Sequence, residues 1–472
     1  MSIDRIIDAA MRPVADAVAG VVFVTVPVLG AELPLIVGWL VGGGAFFTIY
    51  LRFINVRGFV EALRIVSGRR AGPADPGEIP QFQALTTAVS GTVGIGNIAG
   101  VAVAISAGGP GATFWLVVAG LLGMSTKFAE CTLGVRFRRE NPDGSVSGGP
   151  MYYLERGLRA RGRPRLGRAL GVFYAGAMMV GCLGIGNMFQ SNQAAALFID
   201  VTGGETGFFG DKAWLIGLLL AGLVALVIVG GIRSIARTTV RLVPSMALLY
   251  VTLALAILVL NAREIPDALA SIWHGAFAPE GVAGGALGAL VIGFRRAAFS
   301  NEAGLGSAAI AHATARTARP VSEGYVGLIE PFLDTVVICT MTALVIITTV
   351  YDPALAGAGV NGIELTTRAF TSTLSWSAAP LGVAAMLFAF STMIAWAYYG
   401  LKAFTYLVGE GRAQDLGFKL FFCVFVVVGA SVDLGAVVDL SDALVFVVAI
   451  PNLVGLYLMA PLVRQELRRY RP

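Results

Sequence analysis

The sequence predicts an all-α integral membrane protein, and three observations carry that expectation. Of 472 residues, 56% are hydrophobic and only 13% charged, and the mean hydropathy is +0.78. A soluble domain carries about 25% charged residues. Apolar runs of about 18 residues or more, each long enough to cross the hydrocarbon of a bilayer, recur along the whole chain. Two of these runs are interrupted: residues 91–100 read Gly-Thr-Val-Gly-Ile-Gly-Asn-Ile-Ala-Gly, and residues 299–307 read Phe-Ser-Asn-Glu-Ala-Gly-Leu-Gly-Ser. Gly costs about 1 kcal/mol relative to Ala inside a helix. Backbone groups freed in hydrocarbon cost several kcal/mol each unless something satisfies them. Such breaks persist where backbone lines a protected cavity and holds a ligand, as in the discontinuous helices of membrane transporters.

Hydropathy places eleven spans. The first covers about 34–53. Before it, a shorter apolar piece at about 18–30 is broken by Pro27 and reads as interfacial or re-entrant. Met1–Pro13 is of mixed charge and reads as a short amphipathic helix, not a basic cleavable signal. Spans follow at about 82–107, 112–135, 169–199, 213–230 and 239–260. After a polar loop come about 285–314, 324–350, 377–407, 416–435 and 441–463.

Loop charge orients the bundle, because Lys and Arg collect on the cytoplasmic side. Arg57, Arg64, Arg69 and Arg70 follow the first span, and nine arginines run from Arg136 to Arg168. Arg233, Arg237 and Arg241, then Arg316 and Arg319, then Arg464, Arg468, Arg469 and Arg471 fall on the same side. The alternate loops are acidic or neutral, with Asp200, Glu205, Asp211, Glu264, Asp267, Asp352, Glu364, Asp433, Asp439 and Asp442. The expected orientation has the N-terminus outside and the C-terminus in the cytoplasm, in the cell's inner (plasma) membrane. The net charge of +5 is therefore topological and no sign of nucleic-acid binding.

Setting the first span aside leaves two sets of five, each opening with a Gly/Asn-interrupted helix. An odd number of spans per set forces the two to be inverted. The expected organisation is an N-terminal segment (1–79), a first five-helix repeat (80–261), a second inverted repeat (285–463) and a cytoplasmic tail (464–472). Interruptions at matching positions of two halves point to a binding site; the competing explanation is close helix packing at small residues.

Several polar side chains sit where a site would form. The first break offers N–H groups near Ile95 and Gly96, carbonyls near Ser90 and Val93, and the side-chain oxygens of Thr92 and Asn97. N–H groups at a half-helix terminus attract carboxylates, and carbonyl ends attract Na+. A Thr92 hydroxyl bonded back to its own helix is the alternative. At the second break, Phe299 is either a cover for a small substrate or plain core. Glu302 is either clamped by Arg295 and Arg296 or involved in ion or proton coupling, since an intramembrane carboxylate is costly. Gln190 and Asn192 either read a substrate or join helices, as does Asn187. Ser391 and Thr392 are adjacent hydroxyls, with Trp396 one turn on as a site wall. Lys127 with Glu130, and Glu330 with Asp334, read as inner-gate or structural pairs; His312 reads as neutral and hydrogen-bonded. Four scattered cysteines and two histidines supply no metal spacing. No Gly-Lys-Ser/Thr phosphate loop and no catalytic constellation is present, which argues against ATP as energy source and against an enzyme.

The stretches GTVGIGNIAGVAVAISAGGPGATFW, GGPMYYLERGL, FSNEAGLGSAAIAHA, EPFLDTVVICTMTAL and FSTMIAWAYYG, spread over about 80–407, resemble the alanine or glycine:cation symporters. That family is similar to the amino acid–polyamine–cation superfamily, with its LeuT-like five-plus-five fold. The resemblance implies Na+-coupled uptake of alanine and glycine, with H+ in place of Na+ in some members. It implies that Thr92, Ile95 and Gly96 meet the substrate carboxylate, and that Gln190, Asn192, Phe299 and Trp396 line the pocket. It implies a sodium site drawn from Ser90, Val93, Phe388, Ser391 and Thr392. Ile95 departs from the small polar residue of many relatives, which implies either a narrower pocket or a shifted preference among small amino acids. No obligate protein partner is expected beyond the lipid bilayer. The alternatives are an H+-coupled symporter of another small solute and an ion channel, which needs a continuous polar stripe.

Overall fold

The computed structural model describes residues 31–68, 75–142, 144–277, 285–352 and 362–470, with parts of 12–28. Most of the expected N-terminal amphipathic helix, together with Arg69 and Arg70, lies outside the described residues. Within the piece expected to be interfacial or re-entrant, Thr25–Val28 pairs antiparallel with Ala31–Pro34 as a small hairpin.

Among the described residues, seven helices are long and apolar enough to cross a membrane: Gly111–Arg136, Pro164–Val201, Gly231–Leu260, Pro320–Thr349, Ser375–Val408, Arg412–Ser431 and Leu434–Arg469. Gln81–Thr92 and Ile95–Gly108 together make an eighth segment, bent by 58° at its break. The remaining expected spans coincide with shorter helices, Leu35–Tyr50, Ala213–Ile228 and Gly285–Asn301. The last ends at the second interruption, and Ala308–His312 resumes beyond it. Gly111–Arg136 is the central strut: it packs against Leu35–Tyr50, Gly285–Asn301, Pro320–Gly327 and Ile265–Phe277.

Local sequence explains the irregular points. At the first break, the Gly94 N–H turns to Asn97 Oδ1 (2.9 Å) instead of back to Ser90, and the chain passes through one tight turn, Ile95–Asn97. At the second, Glu302 sits in the left-handed region (φ 56°), uncommon for a non-glycine residue. The long 164–201 and 320–349 helices each contain a wide turn, Gly184–Met188 and Phe332–Cys339, of the kind that recurs at functional sites.

Three of the short helices that were not anticipated pack on the bundle. Pro150–Ala160 occupies the arginine-rich inner loop, Ile265–Phe277 the expected polar loop, and Gly362–Thr373 the segment after Asp352. Each is too short for a span-length hydropathy signal, and burial against the bundle stabilises it. The last covers the first broken helix, with Thr366 Oγ1 donating to the Ile98 carbonyl (3.1 Å).

Candidate functional site

The two breaks meet in the middle of the bundle, and helix 378–408 joins them. Trp396 Nε1 donates to the Gly91 carbonyl (3.2 Å) and to Glu302 Oε1 (3.0 Å), so one indole holds both interruptions. Its ring lies against Gly186 on the wide turn of helix 164–201, where any Cβ would overlap the indole. Gly186→Ala is therefore expected to lower stability by about 1–3 kcal/mol, the usual cost of overpacking. Thermal unfolding of the purified protein checks this; an unchanged transition would mean the indole does not rest there.

Gln190 closes the other side of the first break. Its Oε1 accepts from the Ile95 N–H (3.1 Å), and its Nε2 donates to the Ile185 carbonyl (3.2 Å). An amide oxygen thus sits on the N–H where a carboxylate is expected. Phe299 lies over Gly96, where a Cβ would come within 3.3 Å of its ring, and it packs edge-on against Phe189 at 4.8 Å. Thr92 bonds back to the Val89 carbonyl (3.3 Å) of its own helix.

Of the expected sodium ligands, Thr392 stands against the first break. Helix Gln81–Thr92 ends beside Val93, which has left helical geometry (ψ 90°). Ser391 Oγ donates to the Phe388 carbonyl (2.9 Å). Thr392 Oγ1 points at Gly94 and has no hydrogen-bond partner, although the residue is 1% exposed. An unpartnered buried hydroxyl costs about 1–3 kcal/mol, so this oxygen needs a reason to be there.

Some expected placements are corrected. Asn192 does not reach the break: its Nδ2 donates to the carbonyls of Gly429 (3.2 Å) and Val432 (2.6 Å), the C-terminal end of helix 412–431. Asn187 likewise holds the Phe422 carbonyl (2.7 Å). Arg295 and Arg296 do not clamp Glu302; both bind Asp442, Arg295 at 2.7 Å. Asp442 is buried in helix 434–469 instead of lying in an outer loop, because the helix starts earlier than its apolar run. Glu302 takes Trp396 and Ser307 as partners. Lys127 pairs with Glu330 (2.9 Å), not with Glu130. Glu130 Oε1 accepts from the Gly304 N–H (3.0 Å) and from Asn452 Nδ2 (2.7 Å), which bridges back to the Gly304 carbonyl.

One cluster was missed. Asp334 gathers Asn97 Nδ2 (2.6 Å), Ser300 Oγ (2.8 Å) and Thr335 Oγ1 (2.7 Å), so the two breaks meet a buried carboxylate on the wide turn 332–339. The available signal was an acid followed by a hydroxyl, Asp334-Thr335, inside an otherwise apolar span.

Apart from Arg295, these residues are buried. Polar groups concentrate at the breaks and not along a continuous stripe, a layout that suits local binding more than channel conduction.

The comparison with solved structures agrees with the fold. The chain superposes on MhsT, crystallised with L-phenylalanine, with a TM-score of 0.60 at 15% identity, covering 82% of this chain and 97% of that one. At that identity the likeness speaks for fold alone. Among curated relatives, the sodium/alanine symporter AgcS of Methanococcus maripaludis is 38% identical over 441 residues, 93% of this chain and 94% of its own length. The probable sodium/glutamine symporter GlnT of Bacillus subtilis is 33% identical, with 92% and 87% covered. The putative sodium/proton-dependent alanine carrier YrbD of Bacillus subtilis is 32% identical, with 89% and 86% covered. The broken helices that meet at Trp396 thus stand in a chain that matches one family profile from residue 18 to residue 472, and the protein belongs to the sodium:alanine symporter family.

Proposed function

We propose that this protein is a secondary active transporter that carries Na+ and a small neutral amino acid, alanine or glycine, into the cytoplasm by alternating access. The observation that carries the coupling reading is the Thr392 hydroxyl, buried, unpartnered and aimed at the first break. A hard cation takes several oxygen ligands. The carbonyls of Ser90, Val93 and Phe388 with the hydroxyls of Ser391 and Thr392 form such a set, and all five residues are buried. The Asp334 cluster offers oxygens for a second cation, with the hydroxyls of Ser300 and Thr335. If it serves that role, Asp334→Asn leaves Na+-dependent uptake with a weaker and less sigmoidal Na+ response; an unaltered Na+ curve rejects the second ion.

The amino acid's carboxylate is placed at the N–H groups of Ile95 and Gly96, displacing the Gln190 amide oxygen. Phe299 and Phe189 restrict the side chain to hydrogen or methyl. Phe299→Ala is expected to raise uptake of leucine relative to alanine by about tenfold or more, from the 1–3 kcal/mol that one or two methylenes are worth in a pocket. Unchanged selectivity rejects Phe299 as the limiting wall. Trp396→Ala is a less clean test, because it also cuts the tie between the two breaks.

Ion and substrate act together because each binds where the two halves, 80–261 and 285–463, meet. Coupling requires that binding favour one global state over another. The topology proposed is N-terminus outside and C-terminus cytoplasmic, in the plasma membrane. Uptake of labelled alanine into proteoliposomes under a Na+, K+ or pH gradient tests the whole reading. Accumulation with Na+ alone is expected. Accumulation with the pH gradient alone replaces Na+ with H+ as the coupling ion. None in any condition, with another solute accumulating, rejects alanine.

A further inference from the structure

We propose that the end of the bundle formed by residues 50–57 and 464–468 is a binding site for the headgroup of an anionic phospholipid. The site is an open cavity of about 390 Å3, walled by Tyr50, Arg52, Arg57, Tyr325, Arg464 and Arg468, with no carboxylate in its lining. The four arginines form no ion pair among the described residues, whereas the acids on the same elements are used elsewhere. Glu466 lies 3.3 Å from Arg136, and Glu61 accepts from the Tyr470 hydroxyl (3.3 Å) and lies 3.7 Å from Arg64. Four positive charges line one cavity that no carboxylate lines, and a phosphodiester relieves their mutual repulsion. Guanidinium forks match phosphate oxygens bidentately.

The backbone is shaped for this presentation. Arg52 and Phe53 are consecutive left-handed residues (φ 57° and 56°) at the end of helix Leu35–Tyr50. Neither is Gly, so the turn carries a steric cost that the surroundings must offset. The turn leaves both side chains exposed, Phe53 at 56%. Arg464 is held with its guanidinium over the Tyr50 ring, 5.1 Å from the centroid.

Acyl chains have a place as well. Ile49, Phe53, Val56, Val60 and Leu63 flank the cavity in sequence and are each half or more exposed. Such side chains are stable against hydrocarbon and costly against water. A basic cavity next to an exposed apolar face fits a lipid headgroup better than a free anion, and basic pockets between membrane helices on the cytoplasmic side bind such headgroups. The cavity joins the extra N-terminal helix to helices 320–349 and 434–469, so the lipid acts as a bridge between elements that the chain itself links only distantly.

The inference uses the topology proposed above only to place the cavity at the inner leaflet. Its test reads binding to purified protein without transport, so it fails or stands separately. Native mass spectrometry and thermal unfolding in mixed micelles would compare phosphatidylglycerol with phosphatidylcholine. Phosphatidylglycerol is expected to be retained and to raise the transition temperature. Arg464→Gln/Arg468→Gln is expected to weaken it by about fivefold per guanidinium removed, and Arg237→Gln/Arg241→Gln, a cytoplasmic basic pair outside the cavity, to leave it little changed. If the Gln pair fails to insert, Arg464→Lys/Arg468→Lys keeps the charges that set topology and is expected to lose about fivefold through the missing forks. Equal loss in both Gln pairs, wild-type affinity in the Lys pair, or equal stabilisation by soluble glycerol 3-phosphate would each overturn the proposal.

Discussion

Thr392→Val is expected to lower the apparent Na+ affinity of alanine uptake by about a hundredfold while leaving the protein as stable as its parent, or more so. The two halves of that expectation come from the same atom. Thr392 Oγ1 is buried without a hydrogen-bond partner, so an isosteric methyl removes a desolvated polar group whose burial costs about 1–3 kcal/mol. A residue with a purely structural role gives the opposite sign, because polar-to-apolar changes that cut a real hydrogen bond destabilise. As one of the five oxygen donors proposed for Na+, its loss is expected to exceed the roughly 10–100-fold effect of removing an outer-shell group. Ser391→Ala is the internal comparison: its hydroxyl already bonds the Phe388 carbonyl (2.9 Å), so it loses both that bond and a ligand. Uptake against Na+ concentration, with thermal unfolding of the same samples, decides. A Thr392→Val protein with a normal Na+ curve would falsify the sodium assignment.

Much of this was legible in the sequence because membrane insertion imposes strong one-dimensional signals. Hydropathy located the long apolar helices, and the glycines and Asn97 of 91–100 located a real break, bent by 58°. What stayed hidden was partner choice. Lys127 and Glu130 lie one helical turn apart, which suggests a pair, yet helix 111–136 is packed on several sides and each side chain finds a different neighbour. Asp442 lies at the edge of an apolar run, so hydropathy ended the span there and missed the Arg295 and Arg296 contacts. Asn192 shows the limit for amides. Spacing says that it faces inward, but only the packed structure says that it faces the end of helix 412–431 and not the break. Trp396 was expected as a wall and is placed as a tie, because a single sequence does not reveal that its N–H reaches two interruptions at once.

Lys127→Met is expected to destabilise the protein by about 3–5 kcal/mol, the cost of leaving a buried charge without its partner. Lys127 and Glu330 are fully buried and 2.9 Å apart. Glu330 also faces His312 (3.6 Å), whose other ring nitrogen lies 2.6 Å from Glu323. Glu323 in turn accepts from Gln81 Nε2 (2.8 Å), at the first residue of the first broken helix. The chain of contacts therefore fastens the inner end of one broken helix to the segment just after the other. With the membrane orientation proposed above, opening toward the cytoplasm pulls on these contacts. The double variant Lys127→Met/Glu330→Met is expected to recover most of the loss, since replacing a whole buried pair by apolar groups is often neutral. It leaves His312 with its contact to Glu323. Thermal unfolding of the four proteins of this double-mutant cycle measures the coupling directly. A single variant as stable as the double would mean that Glu330 finds another partner once Lys127 is gone, and that the pair does not hold the inner side shut.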